Sequence, residues 1–208
     1  MFVTFEGIDG SGKTTQLNRL RDYLLKRGIS TRVVREPGGT VVGESIRKLL
    51  LNSKTTGLDP LGELLLYYAS RSQNLVENLI PALEAKEWVL CDRFADASMA
   101  YQGYGRGIDL EVIHKLNQIV LRDHKPDLTI LIDIEPEISL HRARARDRQR
   151  LTDEKRFEME SLEFFRRVRA GYLIIARENA ERMRVGQGDA PPEVIQENIQ
   201  RIIQDYGI

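Results

Sequence analysis

Near the start of the chain, Gly7-Ile8-Asp9-Gly10-Ser11-Gly12-Lys13-Thr14 fits the pattern G-x-x-x-x-G-K-[ST]. It directly follows the apolar run Phe2-Val3-Thr4-Phe5 and precedes an amphipathic stretch, the strand, loop and helix context that a phosphate-binding loop requires. The glycines let the backbone curl so that successive N–H groups point at one anion, and the following helix adds its positive N-terminal end. Residues 7–15, from Gly7 to Thr15, are therefore expected to cradle a nucleoside triphosphate, with Lys13 neutralising the β- and γ-phosphates and Thr14 holding Mg²⁺. A glycine-rich turn between a strand and a helix is the simpler alternative, and the flanking pattern disfavours it.

The rest of the chain has the rhythm that such a loop demands. Short β-branched runs at Phe2–Phe5, Arg32–Arg35, Trp88–Cys91, Leu128–Ile132 and Met183–Val185 alternate with amphipathic stretches. Helices are predicted at about 13–27, 41–52, 61–84, 109–123, 136–148, 156–180 and 192–205, Gly28 closing the first and Leu58-Asp59-Pro60 opening the third. This alternation predicts an α/β fold with a parallel sheet covered by helices on both faces, its ligands gathered at the carboxyl ends of the strands. The 208 residues suit one domain, 1–208. Acidic and basic residues balance at 31 each, so no global charge points to nucleic acid or an anionic membrane. The one cysteine, Cys91, excludes an internal disulfide and a zinc-stapled lid. With no basic leader and no apolar run near the roughly 20 residues of a membrane span, a cytoplasmic protein is expected.

Further candidates follow the strands. After the second comes Glu36-Pro37-Gly38-Gly39-Thr40, whose proline fixes the chain direction and whose glycines permit close backbone approach, although a simple turn explains it as well. The third strand ends in Asp92-Arg93-Phe94. Asp92 is suited to steadying Mg²⁺ through water and Arg93 to gripping a phosphate, the alternative being an ion pair that ties a loop to the sheet. Tyr67 and Arg71, four apart on one helix face, suit a nucleobase, the ring stacking and the guanidinium donating to an exocyclic oxygen. Core packing of Tyr67 beside a surface Arg71 is the default they compete with. Ser98, Tyr101 and Gln102 follow closely enough to border the same pocket. From His141 to Arg150 arginine occupies every second position, Arg142, Arg146 and Arg150 making one stripe and Arg144 and Arg148 another nearly opposite, so no face is left to bury. That suits a lid that orders over bound phosphates and supplies arginine to the transferring group, an effect worth roughly 10³–10⁵ in rate. A solvated charged helix and a nucleic-acid patch are its rivals.

Together these residues resemble the bacterial thymidylate kinases of the P-loop nucleoside monophosphate kinase family. The likeness runs through residues 5–15, Arg-Glu-Pro-Gly-Gly-Thr at 35–40, Tyr-Ala-Ser-Arg at 68–71, Asp-Arg-Phe at 92–94, Ala-Tyr-Gln-Gly at 100–103 and the arginine-rich segment. It implies a three-layer P-loop NTPase fold, with a five-stranded parallel sheet flanked by helices, an arginine-rich lid at about 141–156, and a homodimer. It also implies transfer of the γ-phosphoryl group of Mg-ATP to dTMP, giving dTDP and ADP on the way to dTTP, with small-molecule substrates and neither nucleic acid nor membrane as partner. By the same resemblance Lys13 contacts the ATP phosphates, Asp9 holds the acceptor 3′-hydroxyl, and Arg93 and Arg47 lie near the monophosphate, beside Glu36 and Pro37. Arg71 would read a thymine carbonyl, Ser98 and Gln102 complete the base site, Tyr101 crowds the ribose 2′ position, and Gln187 lies by the adenine. Tyr67 stands where the family usually stacks a phenylalanine. Gly10 stands where eukaryotic relatives carry a catalytic arginine, so that role falls to the lid, to Arg146 and Arg150. The chain departs from many relatives in reading Lys155-Arg156-Phe157-Glu158 after a longer lid segment.

Overall fold

The computed structural model describes residues 1–149, 154 and 156–206. The five apolar runs form strands β1 (Phe2–Glu6), β2 (Thr31–Arg35), β3 (Trp88–Asp92), β4 (Leu128–Asp133) and β5 (Met183–Gln187). They pair in the order β2-β3-β1-β4-β5, every pair parallel. β1 is buried along its whole length and β4 along all but its last residue. Helices cover both faces of the sheet, so these central strands read as continuous apolar runs rather than alternating ones.

On one face α1 (Lys13–Leu25) and α9 (Pro192–Gln204) pack Leu17, Leu20, Leu24, Ile195, Ile199 and Ile203 against Val3, Phe5, Ile130 and Ile132. On the other, α3 (Pro60–Asn74) and α8 (Leu162–Glu178) bury Leu64, Tyr68, Phe165, Val168 and Tyr172 near Leu131 and Met183. The remaining helices are α2 (Val41–Leu51), α4 (Ile80–Glu84), α5 (Ala95–Ser98), α6 (Leu110–Leu121) and α7 (Pro136–Gln149). Caps set the starts. Thr40 Oγ1 accepts from the Gly43 N–H at 2.9 Å to open α2. Asp59 accepts from Leu61 and Gly62 to open α3, with Pro60 at its first position, where a missing N–H costs nothing.

Three expectations need correction. The stretch predicted as a helix over 156–180 holds only a 3₁₀ turn at Phe157–Met159 before α8 begins at Leu162, because Ser161 Oγ takes the Phe164 N–H and caps there. The predicted 61–84 helix is interrupted by a π-helical turn at Leu75–Leu79. Residues 95–105, outside the predicted elements, are helical: α5 runs into a π-helical segment, Met99–Gly105, that packs along α8.

The arginine-rich helix does bury a face, contrary to its sequence pattern. In α7 the small residues Ser139 and Ala143, with Leu140, turn inward while Arg142 and Arg144 stay exposed. Gly10 is the reason small residues are needed. It has φ +85°, and a Cβ built on it would lie 2.2 Å from the Ser139 carbonyl oxygen and 3.1 Å from the Ala143 nitrogen. The phosphate-binding loop therefore lies against the α7 backbone, and the Ser139 hydroxyl donates to the Asp9 carbonyl across the contact.

Candidate active site

The loop after β1 is built for an anion. Gly12, with φ +98°, caps α1 in the left-handed region that glycine tolerates, and a Cβ there would meet nothing within 4 Å. The first-turn N–H groups of α1, from Lys13 to Thr15, have no intrahelical acceptors. Lys13 is buried, with Nζ donating to the Ile8 carbonyl at 2.9 Å and two further protons available to an acceptor. Burial first, and then the Arg93 guanidinium, pull the Lys13 ammonium down to about 8, against the opposing carboxylates of Asp9, Asp92 and Glu6. Ser11 Oγ is buried with no hydrogen-bond partner among the described residues. An oxyanion satisfies both groups, which is what a triphosphate provides.

Thr14 Oγ1 donates to Asp92 Oδ2 at 2.5 Å, joining the head of α1 to the end of β3. This pair of hard oxygen donors fits Mg²⁺, which keeps several waters and needs only one or two protein ligands beside substrate phosphates. Among the described residues no group of three or more carboxylate, imidazole or thiol side chains converges to cage a metal.

Arg93 follows Asp92 and has φ +68°, a conformation that costs a non-glycine residue about 1–2 kcal/mol. Its guanidinium explains why the surroundings hold it there. Nη1 donates to the Gly7 carbonyl at 2.9 Å and to the Tyr172 hydroxyl at 3.2 Å, and Nη2 to Asp9 at 2.9 Å and to the Tyr101 hydroxyl at 3.0 Å. Behind it Tyr172 donates to Glu6 Oε2 at 2.7 Å, and the Phe94 N–H donates to Glu6 Oε1 at 2.7 Å. Burial and then Asp96 push the Glu6 carboxyl from 4.5 up to about 7, although Arg93, Tyr172 and the Phe94 N–H all oppose the shift. Neither Glu6 nor Tyr172 was among the site residues expected from sequence.

A cavity of about 90 Å³ opens beside Arg93 at the carboxyl ends of β1, β2 and β3. Asp9, Glu36, Pro37, Arg47, Tyr67, Arg93, Ser98, Tyr101 and Gln102 line it, together with Leu51, Ala97 and Phe157, which sequence reasoning had not singled out. Arg71 is the one acceptor-side candidate absent from this wall. It is not a surface residue: only 1% exposed, it donates to Glu36 at 2.7 Å, to Ser98 Oγ at 3.1 Å and to the Phe94 carbonyl at 2.9 Å. Burial pushes the Glu36 carboxyl up despite the Arg71 guanidinium.

A family model described as thymidylate kinase matches residues 5–199. The chain belongs to the thymidylate kinase family. Curated thymidylate kinases from Maridesulfovibrio salexigens, 47% identical over 94% of this chain and 91% of that one, and from Geobacter sp. strain M21, 47% identical over 99% and 94%, are similar throughout. A crystal structure of thymidylate kinase from Ehrlichia chaffeensis superposes with a TM-score of 0.79 at 39% identity, covering 98% of both chains. This kinase accordingly phosphorylates dTMP to dTDP, with ATP as donor and Mg²⁺ as the accompanying ion. No helix among the described residues is long and apolar enough to cross a membrane.

Arg93 thus joins the loop after β1, where it contacts Gly7 and Asp9, to the cavity, which it lines. Gln187 ends β5 one residue before Gly188, whose carbonyl accepts from Arg142 of the arginine-rich helix at 2.8 Å, so the two segments expected around adenine do meet. Arg156 donates to the Leu50 carbonyl and to Glu63. Arg47 donates to the Pro37 carbonyl at 3.0 Å and pairs with Glu154 at 2.9 Å. Arg150 and the side chain of Arg146, the expected catalytic arginines of the lid, lie outside the described residues.

Proposed function

We propose that Lys13, Arg93 and the lid arginines Arg146 and Arg150 carry phosphoryl transfer from Mg-ATP to dTMP in this enzyme. The observation that carries this reading is the position of Arg93, which touches Gly7 and Asp9 of the phosphate-binding loop and Tyr101 of the cavity at once. A guanidinium there reaches both the donor phosphates and an acceptor phosphate, and its planar fork holds the attacking oxygen in line. The N–H groups of residues 7–15 and Lys13 bind the donor phosphates; Mg²⁺, when bound through Thr14 and Asp92, supplies further charge neutralisation. The attacking oxygen belongs to a phosphate already largely ionised at neutral pH, so no strong general base is needed.

On the acceptor side Tyr67 stacks on the base, Ser98 and Gln102 hydrogen-bond it, and Tyr101 and Asp9 border the deoxyribose. Glu36, Pro37 and Arg47 flank the monophosphate, which displaces Glu154 from Arg47. Arg71 acts on the base through Ser98 and Glu36. Adenine lies near Gln187, and residues of about 141–156 close over the phosphates and keep water out. The chain works as one domain and as a homodimer in the cytoplasm. The contiguous outer surfaces of α2, α3 and α6, which expose Leu49, Leu61, Leu65 and Ile119, support the pairing.

Arg93→Lys tests the assignment, because it keeps the charge and removes the fork. The expected result is a fall in kcat of at least about 100-fold with KM for ATP little changed. A kcat within about twofold of wild type contradicts the role.

A further inference from the structure

We infer that Glu63 sets the base preference of the acceptor cavity by fixing which end of the Gln102 amide faces the base. This rests on reading that cavity as the dTMP site. Gln102 lines the cavity, and its Nε2 donates to Glu63 Oε1 at 2.8 Å. Glu63 itself lies on α3 outside the cavity wall, 1% exposed. Arg106 holds it through Nε at 3.3 Å and Nη2 at 3.2 Å, and Arg156 donates to its other oxygen. Burial opposes ionisation of Glu63, but the Gln102 hydrogen bond and the Arg106 and Arg156 charges outweigh it and hold the carboxyl below its ordinary range.

An ionised carboxylate only accepts hydrogen bonds. The NH₂ end of Gln102 must therefore face Glu63, since the reversed amide would set its carbonyl oxygen against a buried carboxylate. Gln102 Oε1 is left to the cavity as an acceptor. Ser98 supplies the complementary half: its Oγ accepts from Arg71 Nη1 at 3.1 Å, so its own proton is directed to another acceptor, and it lines the same cavity. With Ser98 at the C4 end of the base and Gln102 beside N3, the orientation this inference assigns, a hydroxyl donor and a carbonyl acceptor match the O4 acceptor and N3–H donor of thymine or uracil. Cytosine presents the reverse, an amino donor at C4 and a bare acceptor at N3. Buried groups left unpaired by the wrong base carry the discrimination. Glu63 touches no substrate, so it is a positioning residue.

The test compares kcat/KM for dTMP and dCMP, with KM for ATP as the control. Glu63→Gln puts an amide that donates as well as accepts opposite Gln102, freeing it to turn. The dTMP-to-dCMP ratio is expected to fall at least about tenfold, through KM for the acceptor and not for ATP. Glu63→Asp keeps an acceptor-only group and is expected to hold the ratio within about threefold, and it carries the test should the first variant not fold. In a Gln102→Leu background, adding Glu63→Gln should change the ratio no further, whereas a residue acting through general packing would add its effect. A folded Glu63→Gln enzyme with the wild-type ratio overturns the inference, as does Glu63→Asp losing the ratio, or an additive loss in the Gln102→Leu background. A wild-type enzyme that uses dCMP as well as dTMP is a separate failure, of the reading of the cavity itself.

Discussion

Replacing Glu6 by Gln should stabilise the enzyme at alkaline pH and leave its stability unchanged in acid. The Glu6 carboxyl is fully buried beneath the phosphate-binding loop, and its surroundings push it from 4.5 up to about 7. Between these values the folded chain binds a proton that the unfolded chain has released, so the Glu6 contribution to stability falls as pH rises through that window. The gap, at about 1.4 kcal/mol per pH unit, amounts to about 3 kcal/mol of destabilisation present above pH 7 and absent below 4.5. Gln stands in for the protonated form at every pH. Urea unfolding of both proteins from pH 4.5 to 8 isolates the effect, because other titrating groups cancel in the difference. The advantage of the variant should grow from near zero at the acid end to about 3 kcal/mol at pH 8. A difference that does not change with pH, or one that favours wild type more as pH rises, refutes the reasoning.

Two further outcomes follow from buried charge. Lys13 is held near 8 in the free enzyme, and donor phosphates favour its charged form, so ATP binding at pH 8 should take up about half a proton. Calorimetry in two buffers of unlike ionisation enthalpy reads this directly, and net proton release contradicts it. Arg71→Ala strands the buried Glu36 carboxylate and should cost about 3–5 kcal/mol in urea unfolding, part of it recovered by adding Glu36→Gln. A loss below about 1 kcal/mol shows that the pair is not the constraint inferred here.

The phosphate-binding loop, the five strands and most helices were legible because their signals are local: a glycine spacing, apolar runs, the Asp59-Pro60 cap. Residues 95–105 were not. Ala95–Ser98 is too short to show a period, and Gly103, Tyr104 and Gly105 read as loop, yet a π-helical turn tolerates them where Gly105 must pass Phe164 and Val168. The candidate cavity was legible almost residue by residue through the resemblance, whereas the groups behind it were hidden. Glu6 and Tyr172 lie far in sequence from Arg93, and only the fold brings them into one network with it. A carboxylate directly after an apolar run and before the first loop glycine was the one available signal. The enclosure of Arg71 was hidden too, since helical spacing put it on the Tyr67 face without revealing that residues of the β2 and β3 loops would surround it.

The central claim, that one site joins an ATP donor to a dTMP acceptor, is tested most directly by coupled ADP release. The assay supplies Mg-ATP with dTMP, dUMP, dCMP, dGMP, UMP or no acceptor at one protein concentration. Turnover confined largely to dTMP is the predicted result; ADP release that needs no acceptor, or that prefers another monophosphate, contradicts it.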